Sequence, residues 1–348
     1  MSGDLAGRFR RLIADLGPIS VTRFMGESNA QYYATRDPLG AAGDFVTAPE
    51  IGQMFGELIG LWLADVWDRA GRPEGAAYAE LGPGRGTLAK DALRAMAGAG
   101  LRPNMHLVEG SPALRRVQAA ALPGAVFHDD AAGLPDDRPL LLVGNEFLDA
   151  LPIRQWVRTG AGWRQRMVAL EGEDFVFVAG PRPIDIALPD GFADCPPGTI
   201  VETNPGAAAV VEEIARSLGR QGGAALLIDY GHLEPRTGST LQAVRAHRKV
   251  DPLDHPGEAD LTAHVDFAAL AEIATAAGCR VQTTSQGVWL AAMGIDLRAE
   301  TLARAAPDRA AEIVAARERL TSPGQMGELF KVMALTAPDW PEGAGFVP

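Results

Sequence analysis

The spacing of apolar positions along the chain changes near residue 76. Upstream of it, apolar residues recur at helical intervals. Phe9, Leu12, Ile13 and Leu16 mark a short surface helix, and the dense apolar run over residues 54–63, continuing through Trp67, predicts a buried one. A glycine-containing loop, residues 40–50, precedes the second helix. Thr47 is placed to cap it, with Pro49 in its first turn and Glu50 in the capping-box position. From residue 76, short apolar runs alternate with amphipathic ones. The pattern predicts strands at 77–81, 105–109, 125–128 and 139–144, helices at 87–97, 112–121 and 207–218, and a further strand at 223–230. Apolar strands separated by helices imply a parallel sheet covered on both faces. Two stretches break the alternation. Residues 155–179 alternate around Gly160-Ala161-Gly162 and around residues 171–174, which predicts added antiparallel hairpins. Residues 231–262, rich in Pro, His, Asp and Gly, predict a long ordered loop over a site. Residues 279–284 and 328–335 predict a closing antiparallel pair. The expected division is a helical N-terminal region, 1–75, packing on a core, 76–348, with insertions near 155–200, 231–265 and 288–325.

Length and composition narrow the classes. The 348 residues suit one large α/β domain with additions or two modest domains, and 47% hydrophobic residues can supply the core. A formal net charge of -12 disfavours broad nucleic-acid binding but would not repel a basic protein substrate. Cys195 and Cys279 form no CxxC pair, which argues against a disulfide framework or structural zinc and for a reducing compartment. The first residues lack the apolar core of a secretory signal. Asp4 and Asp15 argue against a transit peptide despite Arg8, Arg10 and Arg11. No apolar run reaches the ~18 residues of a membrane span. The expected location is cytoplasmic.

The strongest chemical signal follows the first core strand, in Glu80-Leu81-Gly82-Pro83-Gly84-Arg85-Gly86. Glycines there let backbone approach a ligand and accept positive φ. A dinucleotide fingerprint would need its third glycine where Thr87 stands, and a pyrophosphate would meet the like charge of Glu80. The GxGxG spacing instead resembles the first motif of class I methyltransferases. Their cofactor, S-adenosylmethionine, carries an ammonium and a sulfonium, which a carboxylate favours. Glu109, ending the second strand, is a candidate for the ribose hydroxyls; Asp129 or Asp130, ending the third, for the adenine amino group. Candidate cofactor residues are Glu80, Gly82, Pro83, Gly84, Gly86, Glu109, Asp129, Asp130 and Asn145.

A second signal ends the fourth strand, where Asn145 and Glu146 are followed by Asp149. If a helical turn begins here, Glu146 and Asp149 share a face. Two carboxylates suit a guanidinium, whose planar fork of donors they can hold by paired bonds. The competing reading is that Asp149 caps a helix and Glu146 closes a salt bridge.

At these residues the sequence resembles the MidA family, the mitochondrial complex I assembly methyltransferases and their bacterial relatives. The resemblance runs through Asp37-Pro38-Leu39-Gly40, Gly43-Asp44-Phe45-Val46-Thr47-Ala48-Pro49-Glu50, the glycine loop, Asn145-Glu146-Phe147-Leu148-Asp149-Ala150-Leu151-Pro152, Ile228-Asp229-Tyr230-Gly231 and Asp260-Leu261-Thr262-Ala263-His264-Val265-Asp266-Phe267. It implies a Rossmann-like, seven-stranded, mostly parallel sheet with a helical N-terminal region and inserted β-hairpins and helices. It implies protein arginine N-methylation with S-adenosylmethionine, giving symmetric dimethylarginine on a complex I subunit of about 49 kDa in the mitochondrial members. The weak transit signal favours a bacterial member. Glu146, Asp149 and His264 become catalytic candidates. Gly43, Asp44, Phe45, Thr47, Pro49, Glu50 and Asp266 are candidates for the acceptor channel, and Asp229 for a supporting role. For His264 the plainer reading is a hydrogen-bonded loop histidine.

Other classes fit less well. Residues 26–30, Gly26-Glu27-Ser28-Asn29-Ala30, are not the GxSxG of a serine hydrolase and follow no core strand. The six histidines include no HExxH. A non-catalytic assembly factor that keeps the cofactor pocket is the remaining alternative.

Overall fold

A computed structural model describes residues 4–35, 47–183, 192, 194–246 and 248–346. The chain divides into two units. The first combines Met1–Phe45, Asp149–Ala207 and Glu234–Asp266; the second combines Val46–Leu148, Ala208–Leu233 and Phe267–Pro348. Residues 46–75, grouped by sequence with the N-terminal region, thus divide with the sheet. The insertions near 155–200 and 231–265 divide with residues 1–45.

The second unit is built on a sheet of β1 (Ala77–Leu81), β2 (Asn104–Val108), β3 (Val126–His128), β4 (Leu140–Asn145), β5 (Gly223–His232), β6 (Arg280–Ser285) and β7 (Phe330–Thr336). Their order is β6-β7-β5-β4-β1-β2-β3. The neighbours from β5 through β3 pair in parallel, and β7 runs antiparallel to both of its neighbours. Every residue of β1 and β4 is buried, as strands covered on both faces require. Strand order reverses between β1 and β4. The crevice outside the carboxyl ends of strands at such a reversal is where open α/β sheets bind ligands. The closing antiparallel pair expected near the C-terminus is β6 with β7, separated in sequence by inserted helices.

The helices of this unit are α1 (Ala48–Ile51), α2 (Gln53–Arg69), α3 (Thr87–Gly98), α4 (Pro112–Ala121), α5 (Pro205–Gln221, whose first turn belongs to the first unit), α6 (Phe267–Ala276), α7 (Gln286–Ala292), α8 (Ile295–Ala305) and α9 (Ala310–Thr321). The apolar run expected as a buried helix forms α2, burying Met54, Phe55, Leu58, Ile59, Trp62, Leu63 and Val66. Its N-terminus departs from expectation. Thr47 precedes the separate turn α1, makes no side-chain cap bond, and is cut off from α2 by Gly52 in extended backbone. Glu50 is not a capping-box acid either, because its Oε1 accepts a bond from Thr87 Oγ1 at 2.6 Å. A tertiary donor has displaced the local one.

In the first unit, the helix Leu5–Leu16 buries Leu5, Phe9 and Ile13, with Asp4 accepting from Gly7 N at its start. Leu16 is 76% exposed. A second helix, Val21–Thr35, packs Phe24 on Phe9 with ring centres 5.0 Å apart. The expected hairpins form: Arg154–Thr159, Gly162–Glu171 and Asp174–Pro183 pair antiparallel in sequence, and Ile200–Thr203 joins the first. Trp156, Trp163 and Val201 cluster within it, so these tryptophans are core. The stretch 231–262 is not one long loop. Gln242–Arg245, Arg248–Val250 and Asp260–Thr262 form a small antiparallel sheet. Strands of three or four residues are too short to show a period-two pattern.

Two glycines of α2 mark its contact with α3. A Cβ at Gly60 would stand 2.3 Å from the Ala92 carbonyl oxygen, and one at Gly56 2.8 Å from Asp91 Cβ. In the Gly60→Ala variant the gain in helix propensity, roughly 1 kcal/mol, opposes an overpacking cost of about 1–3 kcal/mol against backbone. The clash dominates because a carbonyl in a helix cannot move aside. Gly60→Ala is therefore expected to lower the urea unfolding midpoint; an unchanged or raised midpoint contradicts the close approach.

Candidate functional site

The carboxyl end of β1 opens into the glycine loop. Gly82, Gly84 and Gly86 have φ of +59°, +55° and +81°, conformations L side chains rarely adopt. Space is short as well. A Cβ on Gly82 would meet Phe147 Cδ2 at 2.9 Å, and one on Gly86 would meet Leu122 Cδ1 at 2.7 Å. Gly82 N donates to Val108 O, and Gly86 N to Pro83 O, closing a turn over Gly84 and Arg85. Gly86 then leads into α3 without a side-chain cap of its own.

Glu80 lies below this loop, 3% exposed. Tyr78 Oη donates to its Oε2 at 2.6 Å, and the Ala89 amide in the first turn of α3 also bonds to it. Burial pushes its carboxyl up to about 7, against the lowering effect of those two bonds. Burial, then the Glu80 charge, raises Tyr78 in turn, so Tyr78 remains a neutral donor. Glu80, expected beside the cofactor's positive charge, joins strand to helix through these two bonds.

At the end of β2, Glu109 is 9% exposed. Its Oε1 accepts from Ser111 N at 2.8 Å and its Oε2 from Gln118 Nε2 at 3.0 Å. Each carboxylate oxygen can accept a further bond. Gln118, fully buried on α4, also donates to Gly84 O at 2.7 Å. Arg115 of the same helix bonds Glu109 O, His128 O and Asp129 Oδ1, stitching the ends of β2 and β3. The two acids after β3 differ. Asp130 caps the short turn Ala131–Gly133 through the Gly133 amide, while Asp129 is exposed and paired with Arg115.

β4 ends at Asn145 and Glu146. Glu146 has φ +50°, a left-handed conformation that costs a non-glycine residue about 1–3 kcal/mol. Three sets of bonds hold it. Glu146 N donates to Ile228 O at 2.9 Å. Its Oε1 accepts from Ala48 N at 3.0 Å and Asn145 Nδ2 at 3.2 Å. The buried Asp229 carboxylate takes the next two amides, Phe147 N at 3.1 Å and Leu148 N at 2.8 Å. The supporting role expected of Asp229 is this one. The helical turn expected to align Glu146 and Asp149 does not form, because Asp229 captures those amides and Glu146 lies outside helical φ. Asn145 Oδ1 is buried and meets no donor among the described residues.

The chain passes into the first unit between Leu148 and Asp149. There Asp149 is 4% exposed and its backbone carbonyl accepts from Ala263 N at 3.0 Å. Asn29 ties the Ala150 carbonyl to both backbone groups of Leu261. Tyr33 Oη donates to Asp260 Oδ1 at 2.7 Å. Burial, then the charges of Asp260 and Asp149, hold Tyr33 well above the usual phenol value. His264 and Asp266 are half-buried in this unit, and His264 N donates to Thr240 Oγ1 at 2.9 Å. Gly43, Asp44 and Phe45 lie outside the described residues. Thr47, Pro49 and Glu50 belong to the second unit, with the glycine loop. Sequence reasoning missed Gln118, Arg115, Asn29 and Tyr33. Asn29 and Tyr33 stand four apart on one helix, a faint signal; nothing in sequence singles out Gln118.

Known proteins with this sequence pattern decide the family. Residues 58–285 match the model of a family described as S-adenosyl-L-methionine-dependent methyltransferase. The mitochondrial protein arginine methyltransferase NDUFAF7 of Xenopus tropicalis is 35% identical, across 93% of this chain and 83% of that protein. The chain belongs to this methyltransferase family. The Drosophila melanogaster NDUFAF7 homolog, named in the same way, is also 35% identical, across 96% and 85% of the two chains. A crystal structure from Burkholderia thailandensis, bound to S-adenosyl-homocysteine, superposes with a TM-score of 0.84 at 30% identity, covering 99% of this chain and 96% of that one. The fold is therefore that of the class I methyltransferases, as the sheet order indicates. The methyltransferase's glycine cradle and the unmet Asn145 acceptor fit S-adenosylmethionine. Among the described residues no helix is long and apolar enough to cross a membrane, and no group of three or more acids, cysteines or histidines could hold a metal ion.

Glu80 makes the stability of the ligand-free methyltransferase depend on pH. With 4.5 as the ordinary value and about 7 in the fold, the folded chain keeps a proton that the unfolded chain has lost. Stability therefore falls as pH rises through that window. This one group is expected to remove up to about 3 kcal/mol across it. Urea unfolding at stepped pH should show the fall in the native chain and a flatter profile in Glu80→Gln. Identical slopes would show that Glu80 ionises as freely in the fold as outside it.

Proposed function

We propose that this methyltransferase is a protein arginine N-methyltransferase, with its cofactor outside the carboxyl ends of β1, β2 and β4. The reading is carried by the glycine cradle between two buried acids, in a chain one third identical over nearly its whole length to relatives named protein arginine methyltransferases. In it, Gly82, Pro83, Gly84 and Gly86 hold the methionine end of S-adenosylmethionine. Glu109 accepts from the ribose hydroxyls with its remaining lone pairs, and Asn145 Oδ1 accepts from the cofactor. Asp129 or Asp130, after β3, is the acid for the adenine side, the one paired with Arg115 and the other also a cap. Glu80 supports the loop from below. When bound, the cofactor supplies an electrophilic methyl group.

The acceptor side rests on Glu146 and Asp149. Glu146 is held in a single orientation by Ala48 N and Asn145 Nδ2, at the cost of a left-handed backbone. Such strain at a strand end is characteristic of a positioned functional group. A guanidinium stays charged at neutral pH, so a carboxylate both orients it and stabilises it. A carboxylate can also take the proton that the nitrogen gives up. Orientation and desolvation supply most of the acceleration for a displacement of this kind. Asp149, beside Tyr33 and Asp260, is the second carboxylate in the reading. His264 and Asp266 in the first unit, and Thr47, Pro49 and Glu50 in the second, are the further acceptor-side candidates of the reading. The substrate is a protein, and a complex I subunit of about 49 kDa or its bacterial equivalent fits the reading. A bacterial cytoplasmic setting belongs to the same proposal.

The test is methyl transfer from labelled S-adenosylmethionine into cell extract, with methylarginine read by mass spectrometry. Glu146→Gln and Asp149→Asn are each expected to lower turnover about 100-fold while S-adenosylhomocysteine affinity stays within about threefold. Gly84→Val, forcing a β-branched residue to φ +55°, should weaken that affinity by at least about 100-fold. Normal methylation by both acid variants would refute the acceptor assignment. Tight cofactor binding with no methylarginine from the native chain would favour the non-catalytic assembly factor instead.

A further inference from the structure

Gln118 lies where the two halves of the cofactor site are joined. It is fully buried on α4. One Nε2 hydrogen is donated to the carbonyl of the middle loop glycine, Gly84, at 2.7 Å, and the other to Glu109 Oε2 at 3.0 Å. Both acceptors are oxygens, so the amide has only one workable orientation. Turned over, Oε1 would face two acceptors and both bonds would become repulsions. Its actual Oε1 is buried and meets no donor among the described residues. A buried acceptor left in that state calls for a donor arriving with water or ligand.

We infer that Gln118 is a positioning residue for the cofactor: its amide sets the separation between the glycine loop and the acid at the end of β2. The proposal rests on the reading of Glu109 as the ribose ligand. The methionine end of the cofactor meets the loop, and the ribose meets Glu109. One covalent molecule must satisfy both, so an error in their separation lowers affinity even when each half is intact. The double donation also limits where Glu109 can turn, because Ser111 N holds its other oxygen at 2.8 Å. Three hydrogen bonds are thus set before ligand arrives: two from Gln118 Nε2, to the loop and to the acid, and one from Ser111 N to the acid.

Gln118→Leu and Gln118→Glu test the idea, with S-adenosylhomocysteine as the calorimetric probe. Gln118→Leu, which keeps the volume and loses the tether, is expected to weaken binding at least about tenfold. Gln118→Glu places a carboxylate against Glu109 and a carbonyl. At pH 8 its loss should exceed that of Gln118→Leu, and lowering the pH, which lets one proton sit between the two carboxyls and restores a donor, should return at least about tenfold of the affinity. A side chain that merely fills space would give a loss independent of pH. Glu109→Gln separates the two layers of the argument. If Glu109→Gln binds normally, the ribose reading fails and the proposal with it. If Glu109→Gln binds weakly but Gln118→Leu is within about twofold of native, only the proposal fails. Should Gln118→Leu not fold, judged by its thermal transition, Gln118→Met takes its place with the same thresholds. A pH-independent loss in Gln118→Glu would also overturn the inference.

Discussion

The backbone must leave the sheet in left-handed conformations at the two strands where the order reverses. At β1 it does so through Gly82, Gly84 and Gly86, for which positive φ is free of steric cost. At β4 it does so through Glu146, for which it is not. The difference explains how the two ends are built. The glycine loop needs close packing from Phe147 and Leu122, which leave no room for side chains. The β4 end needs bonds, and the buried carboxylate of Asp229 supplies two of them to the amides that follow Glu146. Phe147 ties the pair together: its amide is held by Asp229, and its ring fills the space a Gly82 side chain would occupy.

Buried acids in the second unit show how one residue type acquires different chemistry from its partners. Glu57, on α2, is penalised by burial, but Arg298 and Arg94 outweigh that penalty and hold its carboxyl below the usual value. Arg298 alone gives it two bonds at 2.7 Å. Glu80 has only the Tyr78 hydroxyl and the Ala89 amide, and burial prevails. Neutral donors stabilise a carboxylate less than a guanidinium does. Glu57 is therefore a fixed charge that joins helices, whereas Glu80, held up to about 7, is a group that titrates near neutrality below the glycine loop.

Most of the sheet was legible in the sequence because buried parallel strands are continuous apolar runs. β1, β4 and β5 announce themselves in this way, and the alternation around residues 160–174 announces the hairpins. The glycine loop was legible because glycine repeats have few other causes. Legibility ended where a local signal had a non-local competitor. Thr47 and Glu50 have the spacing of a capping box, yet Thr87 takes the Glu50 carboxylate. Asp130, a candidate for the adenine amino group, also caps the turn that follows β3, which its position in the chain did not reveal. Short strands within 231–262 carried too few residues to reveal a period.

By itself the sequence determined the fold class, the strand that carries the glycine loop, and the acids at the ends of the next strands. These follow from local chemistry, namely side-chain periodicity and the conformational range of glycine. Only the tertiary structure decided what each polar group bonds to. Gln118 is an unremarkable helix residue until α4 packs against the loop, when one amide spans Gly84 and Glu109. Asp229 and Phe147 lie 82 positions apart and meet because β4 and β5 are neighbours in register. Hydrogen bonds act over about 3 Å, so their partners are chosen by packing in space, which no linear spacing records.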